Sequence, residues 1–328
     1  MTPSTYLRPT TNIPVGISAC LMGEKVRFNG THKHSRFCTD TLGNYFTFVS
    51  ICPEVAIGMS VPRPPIRLVS PSANDMTVRA VGVDDNTIDV TDALAEYGRE
   101  QAEKHTDLCG YIFMQKSPSC GLFGVKRYLP NGHPEGSTRG VYADQFCQTN
   151  PLLPVEEAGR LNDAGLRENF MLRVFTYADW QAFAATDFSA KQLIEFHARY
   201  KYLVMAHSLS HYKSIGRLLS NLAEAPIAEI AHEYFTQLMT ALAKPASRKM
   251  HTNTLMHMQG YLKKNLSAKD KQELTNLILQ YRQGIVPLVV PLTLLKHHLN
   301  QDTEANAYAR QQVYLDPHPY ELGLRNSI

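Results

Sequence analysis

Tyr45-Phe46-Thr47-Phe48-Val49-Ser50-Ile51-Cys52 runs directly into Pro53-Glu54 and then a Pro- and Gly-rich loop that reaches Leu68. Aromatic and β-branched residues in a short run closed by turn residues read as a buried strand. Two further runs have the same form, residues 14–20 (PVGISAC) and 108–115 (LCGYIFMQ), and the second of these is followed by KSPSCG. Between strand candidates, residues 91–105 (TDALAEYGREQAEKH) carry apolar positions at helical spacing, with Thr91 or Asp92 near the N-cap. Strands alternating with helices predict an α/β domain with a mostly parallel sheet flanked by helices. Residues 167–183 are again helical and are expected to close this domain.

From Phe188 the pattern changes. Residues 189–205, 208–223, 226–243, 249–265, 267–283 and 291–299 all repeat at the helical period. Ser189, Ser208, Pro226 and Ser267 suit helix starts, while Pro245, Gly284 and Pro287 punctuate. The expectation is an α/β domain over 1–188 followed by an all-α domain over 189–328.

A chain of 328 residues suits two such domains, and 44% hydrophobic with 19% charged residues is globular composition. Residues 1–14 hold no apolar h-region, and no run of about 18 apolar residues occurs, so neither a signal peptide nor a membrane span is expected. Six cysteines dispersed between positions 20 and 147 do not form a secreted disulfide framework, which points to a reducing cytoplasm. Up to residue 190 there are 17 Lys and Arg against 20 Asp and Glu; beyond it there are 16 against 10. All six cysteines lie in the first part and nine of thirteen histidines in the second. The overall +3 is the sum of an acidic part and a basic one.

Three cysteines stand at strand ends: Cys20 after the first, Cys52 after the second, Cys120 beyond the third. In open α/β sheets sites form outside the carboxyl ends of adjacent strands, so three thiols there can meet. Convergent thiolates suit zinc or an iron–sulfur cluster, and the absence of a CxxC pair argues against a closed structural zinc site. The alternative is three small buried hydrophobes. Cys38, Cys109 and Cys147 are read as structural. Glu54 follows Cys52 by two positions and suits proton transfer; its alternative is a salt bridge to Arg63 or Arg67. Ser117 and Ser119 place hydroxyls at a strand-to-helix turn, with capping as their alternative.

Five ordered motifs, Cys20-Leu21-x-Gly23, residues 26–30 (VRFNG), 51–54 (ICPE), 62–65 (PRPP) and 117–121 (SPSCG), resemble the thiouracil desulfidase (TudS) family. The second half resembles the YbgA-type helical domain through residues 202–208 (YLVMAHS), 259–264 (QGYLKK), 285–288 (IVPL), 291–295 (PLTLL) and 324–326 (LRN). The fused architecture is similar to that of tRNA 4-thiouridine desulfidases. The resemblance implies a 4Fe–4S cluster on Cys20, Cys52 and Cys120 with one iron open to substrate. It implies Glu54 and Ser117 as catalytic residues and a non-redox replacement of sulfur by oxygen on thiolated uracil. Asn29, Ser119 and Arg63 are the expected substrate contacts. A free thiobase such as 2-thiouracil is the alternative substrate, and an iron–sulfur or RNA-binding module without turnover the alternative function.

A basic helical domain joined to a base-modifying one suggests a polynucleotide partner, tRNA. Lys201, Lys213, Arg217, Arg248, Lys249, Lys263 and Lys264 are the candidate phosphate contacts, with Lys296 beside them; Lys201 between Tyr200 and Tyr202 suits RNA through interleaved aromatics. An ordinary solvated face is the alternative. His207 and His211, four apart, read as helix packing or phosphate contacts.

Overall fold

The computed structural model describes every residue except 1–6, 265, 302, 303 and 305, and the side chain of Lys264 also lies outside the described residues. The described chain divides into two compact units, Pro9–Asn162 and a helical unit of Asp163–Ile328 with Leu7 and Arg8.

The first unit is built on β1 (Ile13–Ser18), β2 (Phe46–Ile51), β5 (Tyr111–Phe113) and β8 (Val155–Glu157), in the order β2-β1-β5-β8. All three pairings are parallel, with Ile13 opposite Phe46 and Gly16 opposite Tyr111. β1 is inaccessible along most of its length and β5 along all of it, as a parallel strand covered on both faces requires. One face is covered through aromatic packing: Tyr111 and Phe113 stack at 3.9 Å and meet Phe146 of α3 (Val141–Thr149), at 5.0 Å from Tyr111. The helix expected over 91–105 is α2 (Thr91–Lys104), which buries Leu94, Gly98, Gln101 and Ala102 along one stripe. α1 (Pro53–Ala56) is a single turn directly after β2.

A second sheet was not legible in the sequence. It orders β4-β3-β6-β7, with β3 (Ile66–Val69) antiparallel to β4 (Arg79–Gly82), parallel to β6 (Val125–Tyr128), and β6 antiparallel to β7 (Pro134–Thr138). Its strands are short and half exposed, so they leave no long apolar run.

In the helical unit α4 (Ala164–Ala184), α5 (Ala190–His207), α6 (Leu209–Ser220), α7 (Ile227–Leu242), α8 (Arg248–Gln259), α9 (Ala268–Gln283), α10 (Val289–Leu299) and the short α11 (Ala307–Arg310) follow in order. The expected starts are real caps: Ser189 forms a capping box with Gln192, and Ser208 and Ser267 accept from the backbone N–H of His211 and Asp270. Gly284 ends α9 in the left-handed region, φ 82°.

α4 corrects the expected boundary at 188. It opens the helical unit instead of closing the sheet unit, so the division by packing falls after Asn162. Trp180 of α4 stacks on Phe235 of α7 at 5.0 Å and meets Phe196 of α5 edge-on at 5.4 Å, and Asn169 donates to the Leu242 carbonyl. α4 is buried nearly all round, so its pattern has no single apolar stripe to say which core it joins.

Candidate active site

β1, β2 and β5 release the chain at one sheet edge, and the strand order reverses about β1, the position where open α/β sheets form their sites. Cys20 sits in the turn Ala19–Met22 directly after β1. Cys52 lies between β2 and α1. Cys120 closes the turn that follows β5. All three line one cavity of about 440 Å³, together with Glu54, Arg63 and Ser117.

Backbone bonds hold these turns. Ser18 accepts from the Met114 N–H at 2.9 Å, tying the ends of β1 and β5 together. Lys33 and Ser35 donate to the carbonyls of Cys20 and Leu21, both at 2.9 Å, which straps the following loop onto the Cys20 turn. Beyond Cys120 the N–H groups of Leu122 and Phe123 donate to Glu157 Oε1 at 2.9 and 3.0 Å. The 117–121 turn is closely backed: a Cβ on Gly140 would stand 2.5 Å from the Ser119 oxygen, and one on Gly121 would stand 2.3 Å from Val125 Cγ2. Glycine at both positions is a packing requirement.

Burial pushes the Cys20 thiol up to about 11, with Cys52 adding to the rise and Arg27 opposing it. Burial raises Cys120 well above its ordinary value, reinforced by Glu54 and Cys52. Burial also raises Cys52, against a backbone hydrogen bond from Val55. The three thiols therefore feel one another, and a positive centre between them would stabilise all three thiolates. Among the described residues no three His, Cys, Asp or Glu side chains close on a single metal ion. Three sulfur donors lining one cavity are a donor set of the kind that soft-metal and iron–sulfur centres use.

Glu54 is gripped from two sides. Arg63 Nε donates to Oε2 at 2.8 Å, with a second contact from Nη2, and Ser119 Oγ donates to Oε1 at 2.7 Å. The salt bridge to Arg63 foreseen as an alternative is thus present, and the carboxylate still faces the cavity. Arg63 also donates to the carbonyls of Ser60 and Val26, so its guanidinium is largely committed to holding this corner. Ser119 is fully buried and turned to Glu54, where it orients the carboxylate and does not reach the cavity. Ser117 Oγ accepts from the N–H of Ser119 at 3.2 Å and of Cys120 at 3.1 Å. It caps the turn, and its own proton remains available to donate into the cavity it lines. Asn29 is exposed and accepts from Thr31 within its own loop, away from the lining.

Cys38, Cys109 and Cys147 are buried elsewhere, in the Phe37–Thr41 turn, before β5 and in α3. Sequence reasoning missed Arg27, Lys33 and Lys116, which all line the cavity. Arg27 was visible inside the VRFNG motif. Lys116 had no sequence signal, since its left-handed backbone, φ 60°, is a property of the turn.

In the helical unit Lys201, Lys213 and Arg217 line one open groove along α5 and α6, with Tyr212 and Tyr308. Among the described residues none of the three forms an ion pair. The aromatic partners differ from those expected. Tyr200 is buried and donates to Asp179 at 2.6 Å, Tyr202 is buried against Tyr261, and Lys201 instead stands 5.9 Å from the Tyr212 ring centre. Helix neighbours one apart do not share a face, which is why Lys201 parts from both tyrosines. Arg248 donates to the Tyr281 carbonyl at 3.1 Å, and Lys296 pairs with Asp316 at 2.7 Å. Lys249 and Lys263 are exposed outside the groove. His207 bonds the Lys244 carbonyl and His211 bonds Ser208, so the two do not act as a pair.

Fold and cavity together define an α/β enzyme domain with a thiol-lined site, followed by a helical domain. Residues 15–158 match the family described as 2-thiouracil desulfurase, and residues 201–319 match the family described as "Protein of unknown function (DUF1722)". The chain is 28% identical over 161 residues to "Uncharacterized protein YbgA" of Escherichia coli (strain K12), a match covering 49% of this chain and 94% of YbgA. A solved structure of the [4Fe–4S]-dependent thiouracil desulfidase TudS is similar at 26% identity, covering 46% of this chain and 93% of that one, with a TM-score of 0.33. The protein joins a desulfurase-type domain to a YbgA-like one, and the first domain makes it a desulfidase enzyme.

Proposed function

We propose that this enzyme removes sulfur from thiolated uracil, with 4-thiouridine in tRNA as substrate, and that Cys20, Cys52 and Cys120 hold a 4Fe–4S cluster with one iron free of protein ligand. The observation that carries the proposal is that three thiols, two buried and one half-buried, line one cavity with Glu54 and Ser117 at the sheet's switch point. The desulfurase family match over the same residues supports it.

The chemistry such a cluster supplies is Lewis acidity toward a thiocarbonyl sulfur. The chain's own residues then have defined tasks. Ser117 donates its hydroxyl proton to the ring and fixes the base. Glu54, held on one oxygen by Arg63 and on the other by Ser119, retains lone pairs with which to take a proton from the attacking water. The carbon–sulfur double bond is replaced by carbon–oxygen, water supplies the oxygen, and sulfur departs as hydrosulfide. No electron is gained or lost overall.

The tRNA part of the reading rests on the α5–α6 groove, where three cations with no ion-pair partner among the described residues and two tyrosines offer phosphate contacts and stacking surfaces. The thiolated base must leave its stack to enter the cavity. A tRNA substrate carries with it a cytoplasmic setting for the reaction. Anaerobically reconstituted protein is expected to abolish the thiocarbonyl absorbance of 4-thiouridine-containing tRNA and to release one sulfide per base. Unchanged absorbance with fully loaded protein overturns the proposal. Rapid turnover of free 2-thiouracil with none of the tRNA would favour the free base as substrate.

A further inference from the structure

A cavity of about 190 Å³ lies within the helical unit, between α10 and the stretch 315–326. Its inner wall is apolar, with Leu292, Leu315 and Leu324 buried, and two polar side chains interrupt it, His318 and Arg325, each 7% exposed. Its rim is formed by the exposed Thr293, Asp316 and Tyr320 with the half-buried Lys296. It shares no residue with the thiol-lined cavity or with the α5–α6 groove.

Arg325 is incompletely used. Its Nε donates to Glu168 Oε1 at 3.2 Å, and its Nη1 to the carbonyls of Tyr314 and Leu315 at 2.5 and 3.4 Å. Its Nη2 is buried and has no hydrogen-bond partner among the described residues. A buried donor left unmet is costly, and an acceptor brought in by a ligand recovers that cost. Glu168 already balances the guanidinium, and Asp316 balances Lys296 at 2.7 Å. With both cations balanced, the site suits a neutral carbonyl oxygen and not a phosphate or carboxylate, whose charge would stand uncompensated. The rim is held in place: Arg8 donates to the carbonyls of Asp316, at 2.9 Å, and Pro317, and the Lys296 ammonium stands 5.7 Å from the Tyr320 ring centre. Tyr320 is 67% exposed, so its ring offers a free stacking face. Volume sets the size of the occupant. An apolar cavity of about 150 Å³ holds benzene, so this one admits a single six-membered ring and is small for the fused rings of a purine.

We infer that this cavity is a base pocket: it takes one pyrimidine of an RNA strand, unstacked from its neighbours, with a ring carbonyl accepting from Arg325. The inference rests on reading the helical unit as RNA-binding and adds that the unit reads a base as well as phosphates. Uracil and cytosine both carry the carbonyl next to the glycosidic nitrogen, so the pocket selects pyrimidines as a class. Tyr320 stacks on the adjoining base of the strand. The Lys296–Asp316 pair shapes the rim and contributes no phosphate contact.

The test measures binding of equal-length single strands of oligouridylate, oligocytidylate and oligoadenylate to the anaerobically purified full chain, by fluorescence anisotropy over a salt series. Both pyrimidine strands are expected to bind at least about tenfold more tightly than oligoadenylate, as one base pocket allows. Thr293→Trp sets a bulky ring on the rim from an exposed helix position and is expected to erase this preference; Tyr320→Ala, also at an exposed position, is expected to reduce it. Neither variant is expected to change the salt slope, since a base contact releases no counterion. Replacing Lys201, Lys213 and Arg217 by Ala is expected to weaken all three strands alike and to keep the preference. Binding without preference, or a preference for oligoadenylate, overturns the pocket and leaves the RNA reading intact. So does a preference for oligouridylate alone, which assigns the discrimination to the thiol-lined cavity, and so does a pyrimidine preference that persists unchanged in both rim variants. Failure of the RNA reading shows separately, as no measurable binding of any strand or of tRNA, and that result removes the pocket with it.

Discussion

The carboxyl edge of the parallel sheet holds three cysteines, Cys20 and Cys120 buried and Cys52 half-buried, and the interior around it buries three more. Cys20 and Cys120 are 8% and 6% exposed; Cys109 and Cys147 are 2% and 9%. Burial raises Cys20 and Cys147 alike to about 11 and Cys109 to about 12. Neither accessibility nor acidity separates the two sets. Their addresses do: Cys20, Cys52 and Cys120 follow three adjacent strands of one sheet and share a cavity, whereas the others are scattered through a turn, a strand approach and a helix. A perturbed thiol is the ordinary result of desolvation, and convergence is what marks a site.

The strongest way to break this comparison is to exchange the roles. Cys20→Ala or Cys120→Ala is expected to strip iron from the protein and to lower turnover by more than about a thousandfold, as when one member of a catalytic unit is removed. Cys109→Ala and Cys147→Ala are expected to keep both iron and turnover and to lose about 1 kcal/mol of stability. Iron and sulfide analysis beside anaerobic kinetics reads the outcome. Iron lost equally from both sets would dissolve the distinction.

Within the edge itself, ligands and proton handling separate next. Glu54→Gln is expected to retain iron while turnover falls by about 10²- to 10⁴-fold, the usual worth of a positioned acid–base group. Ser119→Ala removes only the donor that orients Glu54, and about tenfold is expected, in line with one hydrogen bond to a charged group. Equal losses in the two variants would mean that Glu54 matters only as part of the Arg63–Ser119 scaffold.

How legible these features were follows from their physics. β1 and β5 are buried runs of apolar residues, and such runs announce themselves; β2, an edge strand that buries only Phe46 and Ile51, was legible from its aromatic and β-branched residues and not from burial. The Ser caps of α5, α6 and α9 were legible too, because one side chain does the capping. The second sheet was hidden because its strands are four or five residues of partly exposed chain, and β3 pairs with β6 far along the sequence. α4 was seen as a helix yet assigned to the wrong core, since its burial is nearly all round. At the site, the cysteines and Glu54 were readable from their order along the chain. The turning of Ser119 toward Glu54, and the place of Lys116, depend on a turn that Gly121 and Gly140 allow to pack, and no single position encodes that.

The same contrast between address and chemistry applies to the cations of the helical unit. Replacing Lys201, Lys213 and Arg217 by Ala is expected to weaken tRNA binding by about 10- to 100-fold and to reduce the salt slope by roughly 2, because about 0.7–0.9 of a counterion is released per phosphate contact. Lys296→Ala, whose cation is already committed to Asp316, is expected to leave the slope unchanged. Filter binding across a salt series measures both, and equal slopes in all three proteins would return the groove to an ordinary solvated face.

The smallest effect tests whether burial acts alike in the two units, with the sign reversed for a base. Burial, aided by Arg325, lowers the His251 imidazole to about 3, and burial, aided by Lys201, lowers His197 to about 4. As the pH falls below about 6.5, the unfolded chain takes up these protons while the folded one does not. The stability held by each neutral imidazole is therefore complete above about pH 6.5 and is lost as the pH falls toward 4, at up to about 1.4 kcal/mol per pH unit for each group. Glu168 sets in later. Burial opposes its ionisation, but the His318 imidazole 3.5 Å from its Oε1 and the charge of Arg325 hold its carboxyl well below the usual range, so its contribution survives to lower pH. Urea midpoints of the full chain are expected to fall between pH 7 and pH 5. His251→Gln, which keeps a polar partner for the Tyr314 hydroxyl, is expected to flatten that fall. A midpoint independent of pH over this interval, or an equally steep fall in the variant, would show that these histidines do not set the acid limit of the helical unit.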